Sequence, residues 1–304
     1  MESEHLVDAC VVGVSGLVEA WGEPKRAIIP RSAIKPIQVL PLVASGAADA
    51  FSVTDEELAL GAASHSGGAQ HVEAVDRWLE RIGLDRSALE CGASRPLGVP
   101  EADQLLGSGG TFEAIHNCCS GKHAGFLTVA QHLGVDPAGY IDREHPVQQL
   151  VSTSIGEYTG VDVHERSSGI DGCGIPTFAL PLEVLAGAMS RLVTIDDPAA
   201  KRVVTALAEN PFWLSGSQRT EVRLTDASKE PLVIKTGAEG VFMAALPNRG
   251  VGIALKARDG ATRAGDAAIA GVLGALGIVD ASLAVTEITN RAGTVVGLME
   301  VRLS

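Results

Sequence analysis

The β-patterned stretches of this 304-residue chain lie near its two ends, and helical spacing fills the middle. That distribution restricts the fold more than any other feature. Residues 11–20 alternate enough for a strand, with Ser15-Gly16 as a turn. Residues 28–42 begin as strand and change to helical spacing after Ser32. Residues 232–235, 240–245 and 250–257 read as adjacent strands separated by glycine or Asn-Arg-Gly turns, and 294–301 as a closing strand. Between them, residues 71–82 place Val72, Val75, Trp78, Leu79 and Ile82 on one face of a helix. Asp55 opens an acidic first helical turn. Residues 121–133, 146–158, 176–188, 199–209 and 264–276 also carry helical spacing, with a glycine–serine loop at 64–68. Such a chain is expected to be α/β: a mixed or antiparallel sheet, its N- and C-terminal strands paired, flanked by helices. A single catalytic domain over residues 1–304 is expected, with room for two lobes and the helical portion around residues 45–215.

The core must be aliphatic and alanine-rich, because the chain is 46% hydrophobic but only 4% aromatic. Its 35 glycines follow no period, which excludes collagen-like order and suits a loop-rich enzyme whose backbone passes close to ligands. Charge runs 24 basic against 37 acidic side chains, a net of −13. With no basic cluster, such a surface repels nucleic acid and anionic membranes. The chain opens acidic where a secretory signal would be basic, and the apolar run 11–18 is too short to span a bilayer, so a cytoplasmic protein is expected. Five cysteines, an odd number spread through a large chain, point to reduced thiols that react or bind metal.

Four segments could carry chemistry. Ser32-Ala33-Ile34-Lys35 puts a hydroxyl and an amine one helical turn apart. Lysine can activate serine only when its ordinary pKa, roughly 10.4, is pulled down by burial or a second cation. Pro36 requires any helix to be just beginning at Lys35. Lys235-Thr236-Gly237 ends a strand-like run and, beside an upstream Ser-x-x-Lys, echoes penicillin-recognising enzymes, although no Ser-Asp-Asn lies between. His116-Asn117-Cys118-Cys119-Ser120-Gly121-Lys122-His123, with Asp171-Gly172-Cys173-Gly174 further on, gathers thiols and imidazoles suited to zinc. Spacing alone selects Cys119 and His123, four apart on one helical face, with Cys173 as a third ligand. Ala63-Ser64-His65-Ser66-Gly67-Gly68 is a polar loop able to hold a nucleophile or an oxyanion, or to serve as ordinary loop filling.

Taken in order, Pro30-Arg31-Ser32-Ala33-Ile34-Lys35-Pro36-Ile37-Gln38, Ala63-Ser64-His65-Ser66-Gly67, Asn117-Cys118-Cys119-Ser120-Gly121-Lys122-His123, Asp171-Gly172-Cys173-Gly174-Ile175-Pro176 and Lys235-Thr236-Gly237-Ala238-Glu239-Gly240 resemble the rhizobial-type (class 3) L-asparaginases. The resemblance runs from about residue 10 to 260. It implies hydrolysis of L-asparagine to L-aspartate and ammonia, a fold related to serine β-lactamases and glutaminases, and a homodimer. It implies two serine–lysine pairs, Ser32 with Lys35 and Ser64 with Lys235. It implies a Zn2+ site of Cys119, Lys122 and Cys173, replacing the His123 chosen by spacing, with Arg31, His123 and Asp171 binding substrate or supporting the site. The metal is expected to orient the substrate, not to activate water. Two departures stand out: Gly68 occupies a position where glutamate is expected, and the stretch before residue 30 matches loosely. Competing readings are a glutaminase, a penicillin-recognising acyl enzyme, and a catalytically inactive zinc-binding protein.

Overall fold

The β-patterned ends of the chain meet in a five-stranded antiparallel sheet. In the computed structural model, which describes residues 1–303, the strands are β1 (Val7–Gly13), β2 (Gly16–Trp21), β3 (Val233–Gly237), β4 (Val241–Leu246) and β5 (Val251–Ala257). They lie in the order β2-β1-β5-β4-β3. The join between the two ends of the chain is the β1–β5 ladder, with Cys10 opposite Ala254. Strands β3 and β4 are buried along their whole length and β5 along most of it, which is why they read as nearly continuous apolar runs. One face carries Val11, Ile234, Phe242, Ala244 and Leu255 against the helix Thr262–Ala275. The other face meets the helix Leu182–Thr194 so closely that a Cβ on Gly252 would lie 2.0 Å from the Ala186 carbonyl oxygen and 2.4 Å from the Ser190 nitrogen. Only glycine allows that approach.

These strands and helices belong to the first of two compact units, made of residues 1–33, 180–194 and those from 223 on. The second unit comprises residues 34–179 and 195–222. Its centre is the helix Ser120–Leu133, buried from Ser120 through Ala130. A helix with little polar surface can only be an interior one. Ala69–Arg81 packs on it through Trp78, whose indole N–H donates to Thr128 Oγ1 at 2.9 Å. Asp55–Gly61 crosses it tightly enough that a Cβ on Gly121 would meet the Leu60 carbonyl oxygen at 2.4 Å. That helix starts at a capping box of Thr54 and Glu57, which satisfies two of its free backbone donors.

Two expectations are corrected and one element is added. The helix expected over 176–188 begins at Leu182 and runs to Thr194, because Pro176 and Pro181 hold the preceding residues extended in two short strand pairs. The strand near the C-terminus, Val295–Met299, does not close the main sheet. It pairs with Thr286–Thr289 in a separate hairpin, since alternation specifies a strand but not its partner. The helix Val99–Gly107, opened by Pro100, has no counterpart in the sequence reading. Among the described residues no helix is long and apolar enough to cross a membrane.

Candidate active site

In the first unit, Ser32 sits half-buried on the 3-10 turn Arg31–Ile34, closed by a bond from the Ala33 N–H to the Pro30 carbonyl at 3.1 Å. Arg31 enters this turn at φ 52°, a left-handed conformation that side chains disfavour. The turn lies against the end of β3: a Cβ on Gly237 would stand 2.6 Å from the Pro30 oxygen and 3.0 Å from the Ala33 nitrogen. Lys-Thr-Gly therefore ends in glycine for want of space. Lys235 is fully buried, pairs in register with Met243, and donates through Nζ to the Thr236 carbonyl at 2.8 Å.

In the second unit, Lys35 opens the short helix Lys35–Gln38, with Pro36 in its first turn where proline's missing donor is no loss. Its ammonium is fully buried and donates to the Ala63 carbonyl, to Ser64 Oγ at 3.1 Å and to Cys119 Sγ at 3.2 Å. Ser64 is therefore held by Lys35. The loop that carries it is pinned by its backbone, with Ser64 N–H bonded to the Leu214 carbonyl at 3.0 Å and His65 N–H to the Cys118 carbonyl at 3.1 Å. Gly67 turns that loop at φ 81°, where a Cβ would lie 2.8 Å from Pro96.

His65 fixes this loop to the cysteine-rich segment. Its Nδ1 accepts from the Gly67 N–H at 3.1 Å, which leaves the proton on Nε2 to donate to Ser120 Oγ at 2.9 Å. Its ring stacks on His71, centroids 5.1 Å apart. Burial first, and then the neighbouring His71 and Lys35, holds the His65 imidazole well below its ordinary pKa, so it is neutral. His71 is also lowered by burial, and its Nε2 bonds to the Phe212 carbonyl at 3.1 Å. No local pattern in the sequence marks His71, and His65 is marked only as part of the polar loop 63–68. Gly68 stands where a glutamate was expected, and its place is lined by Glu101, whose Cγ would lie 3.2 Å from a Cβ there.

Cys119, Lys122 and Cys173 converge. Lys122 Nζ lies 3.0 Å from Cys173 Sγ, while Cys118 Sγ is 3.8 Å from Cys119 Sγ. Hydrogen bonds from Cys118 and Cys173, reinforced by the charges of Lys35 and Lys122, hold Cys119 well down as a thiolate. Cys173 moves the opposite way, because it donates to Cys119 and is buried. The Asp171–Gly174 turn presents Cys173, and its Asp171 carboxylate accepts from the Gly172 N–H at 2.7 Å. Burial works against the charge on Lys122, but Cys173 and Cys119, with a smaller part from Asp171, outweigh it and push the ammonium's pKa up. His123 is fully buried beside them. Its Nδ1 lies 2.6 Å from the Tyr140 hydroxyl, and its Nε2 is a buried atom without a hydrogen-bond partner. Two sulfurs, one already a thiolate, and an amine fit the chemistry of a zinc site once Lys122 gives up its proton. No cluster of three or more His, Cys, Asp or Glu residues suited to a metal occurs among the described residues, so a site here depends on the lysine.

The chain spans 88% of its own length and 63% of the other chain in a likeness to Mglu in its native form, at 15% identity and a TM-score of 0.49. A β-lactamase (Mb2281c) from Mycobacterium bovis matches at 15% identity and a TM-score of 0.43, covering 90% of this chain and 95% of that one. The octameric penicillin-binding protein homologue from Pyrococcus abyssi matches at 14% and 0.42, covering 88% and 73%. These likenesses are too distant for an activity to be carried across. Among curated proteins no sequence match is found. The profile of the L-asparaginase II family, however, matches residues 1–301. The chain belongs to the L-asparaginase II family.

Proposed function

We propose that this amide hydrolase acts on L-asparagine, releasing L-aspartate and ammonia by serine–lysine chemistry. The observation that carries the reading is the buried hydrogen bond of Lys35 to Ser64, one turn along the chain from Ser32. Ser32 is the attacking hydroxyl: it is half-buried, and thus reachable, on a turn strained at Arg31, whereas Ser64 is only 4% exposed. Lys35 serves as base once its ammonium has given up a proton: Ser32 Oγ bonds to the side-chain amide carbon and its proton passes to the neutral amine. The proton then reaches the amide nitrogen, with Ser64 as relay, and ammonia leaves. Water hydrolyses the resulting ester to free aspartate and regenerate Ser32.

Lys235, also fully buried, is the second amine of the proposal. Cys119, Lys122 and Cys173 are proposed to hold Zn2+, with His123 and Asp171 in support. Such an ion would supply a fixed positive charge to orient the substrate's α-carboxylate or α-amino group. The five free thiols support a cytoplasmic, reducing setting, and a homodimer is the proposed assembly.

Ammonia release from L-asparagine and L-glutamine by wild type, Ser32→Ala and Ser64→Ala tests the reading. Asparagine turnover is expected to fall about a thousandfold or more in Ser32→Ala and about a hundredfold in Ser64→Ala. Loss confined to Ser64→Ala would exchange the two roles. No turnover in wild type with either amide would end the proposal.

A further inference from the structure

We infer that Tyr140 is a positioning residue of the second unit: it holds His123 with the proton on Nε2, so that this nitrogen donates to an oxygen of the bound substrate. His123 and Tyr140 are both fully buried. The Tyr140 hydroxyl accepts from the Glu90 main-chain N–H at 2.9 Å and lies 2.6 Å from His123 Nδ1. If Nδ1 carried the proton, it would donate to an oxygen that already accepts, and the phenol proton would have no bonded acceptor among the described residues. With the roles reversed, the phenol donates to Nδ1 and both groups are satisfied. Burial pushes the Tyr140 hydroxyl above its ordinary pKa, so it keeps that proton to give.

Glu90 grips the tyrosine from two sides. Its main-chain N–H meets the hydroxyl, and its carboxylate Oε1 accepts from the Gly139 N–H at 2.8 Å. The buried Gln148 amide donates to the Tyr140 carbonyl at 3.0 Å. The phenol and imidazole rings meet edge to face, with centroids 5.4 Å apart. A tyrosine held at its backbone, its ring and its hydroxyl cannot follow the histidine, so the histidine is the group that is set. Which imidazole nitrogen carries the proton is decided by the bond that the other one makes.

His123 Nε2–H is then a donor in the interior, buried and without a hydrogen-bond partner among the described residues. Folded proteins rarely leave such a group unmet, and the exceptions mark ligand or catalytic sites. The charges of Lys122, Cys119 and Lys35 all reach the ring, and Lys35 donates to Ser64 Oγ at 3.1 Å. The donor therefore belongs to the candidate site. A nitrogen that carries the proton has no lone pair for a metal. His123 thus offers the substrate a hydrogen bond, while the two sulfurs and Lys122 stay the candidate metal ligands. The inference deepens the proposed function and rests on it for the identity of the substrate.

Long-range proton–nitrogen NMR of the full-length protein carrying isotope-labelled histidine tests it, with His123→Gln identifying the His123 signals. The wild-type ring is expected to be protonated at Nε2 alone. Tyr140→Phe should lose that single state, and L-aspartate, the product of the proposed reaction, should shift the wild-type Nε2–H signal. A wild-type ring protonated at Nδ1, a spectrum unchanged by Tyr140→Phe, or an Nε2–H signal that excess L-aspartate does not move would each overturn the assignment. Ammonia release adds a kinetic split: Tyr140→Phe should raise KM for asparagine about tenfold while kcat changes less than about threefold. His123→Gln keeps a donor near the Nε2 position and has no tautomer to set. It should therefore raise KM less than His123→Phe does, and adding Tyr140→Phe to it should raise KM no further. An equal KM rise from Tyr140→Phe in the wild-type and His123→Gln backgrounds would show that Tyr140 acts through the fold, and would overturn the role. A wild type that releases no ammonia but shows the expected tautomer and aspartate shift would end the proposed function and leave the positioning role standing.

Discussion

At the scale of single residues, the two cysteines and the lysine that converge in the second unit carry a specific kinetic expectation. If Cys119, Lys122 and Cys173 hold a metal that orients substrate, removing one sulfur should loosen binding more than it slows the chemistry. Cys173→Ser is expected to raise KM about tenfold to a hundredfold, with kcat changed far less. Steady-state ammonia release over a range of asparagine concentrations measures the split, and chelation of wild type should reproduce it. A collapse of kcat at unchanged KM would remove the orienting role. Much of this cluster was legible in the sequence, because Asn-Cys-Cys-Ser-Gly-Lys-His and Asp-Gly-Cys-Gly are compact local patterns. Spacing alone chose His123 over Lys122, since a helix brings positions four apart together as readily as it does positions three apart. In the structure His123 is engaged by Tyr140 at 2.6 Å and Lys122 by Cys173 at 3.0 Å. The bonds of Lys35 to Ser64 and Cys119 join residues 29 and 84 positions apart, and no local pattern encodes them.

At the scale of elements, the loop 64–68 and the helix Ala69–Arg81 are joined by the stacked rings of His65 and His71. Both imidazoles are pushed below their usual value, chiefly by burial, so the fold holds them neutral. The unfolded chain takes up protons near pH 6.5 and the folded chain only at lower pH, so acid favours the unfolded state. The stabilising contribution is complete above about pH 6.5 and is lost as pH falls toward the depressed folded values. His71→Phe keeps a ring to stack on His65 and Phe212 but removes one titrating group. Its melting temperature should therefore fall less between pH 7 and pH 5 than that of wild type, which differential scanning calorimetry would show. An equal slope would mean that His71 titrates normally. Periodicity revealed the helix 71–82 well, because Val75, Trp78 and Leu79 make a clean apolar face. It failed over 176–188, where apolar content resembled a helix but two prolines dictated extended backbone.

At the scale of the whole chain, the β1–β5 ladder is reinforced by a clasp between residues 250 positions apart, Asp8 and Arg258. Nothing in the local sequence marks Asp8 as more than a polar residue in a strand, and its burial follows only from the pairing of the two ends. Burial alone would raise its pKa. Bonds from Arg258 and the Glu23 N–H, with the charge of Arg26, outweigh it and leave the carboxyl below the usual aspartate value. A group depressed in this way stabilises the fold above its unfolded pKa, about 3.9, and the contribution disappears as pH falls through the lower folded value. Asp8→Asn keeps the shape but leaves two guanidinium groups facing a neutral amide. The cost at pH 7 should be about 2–3 kcal/mol, at or below the low end for a broken buried pair, because Arg26 and Arg258 still reach water at 38% and 34% side-chain exposure. Urea unfolding at pH 7 and again below pH 4 measures it, with the gap between variant and wild type expected to narrow in acid. A gap that stays constant with pH would show that Asp8 acts through packing and not through its charge.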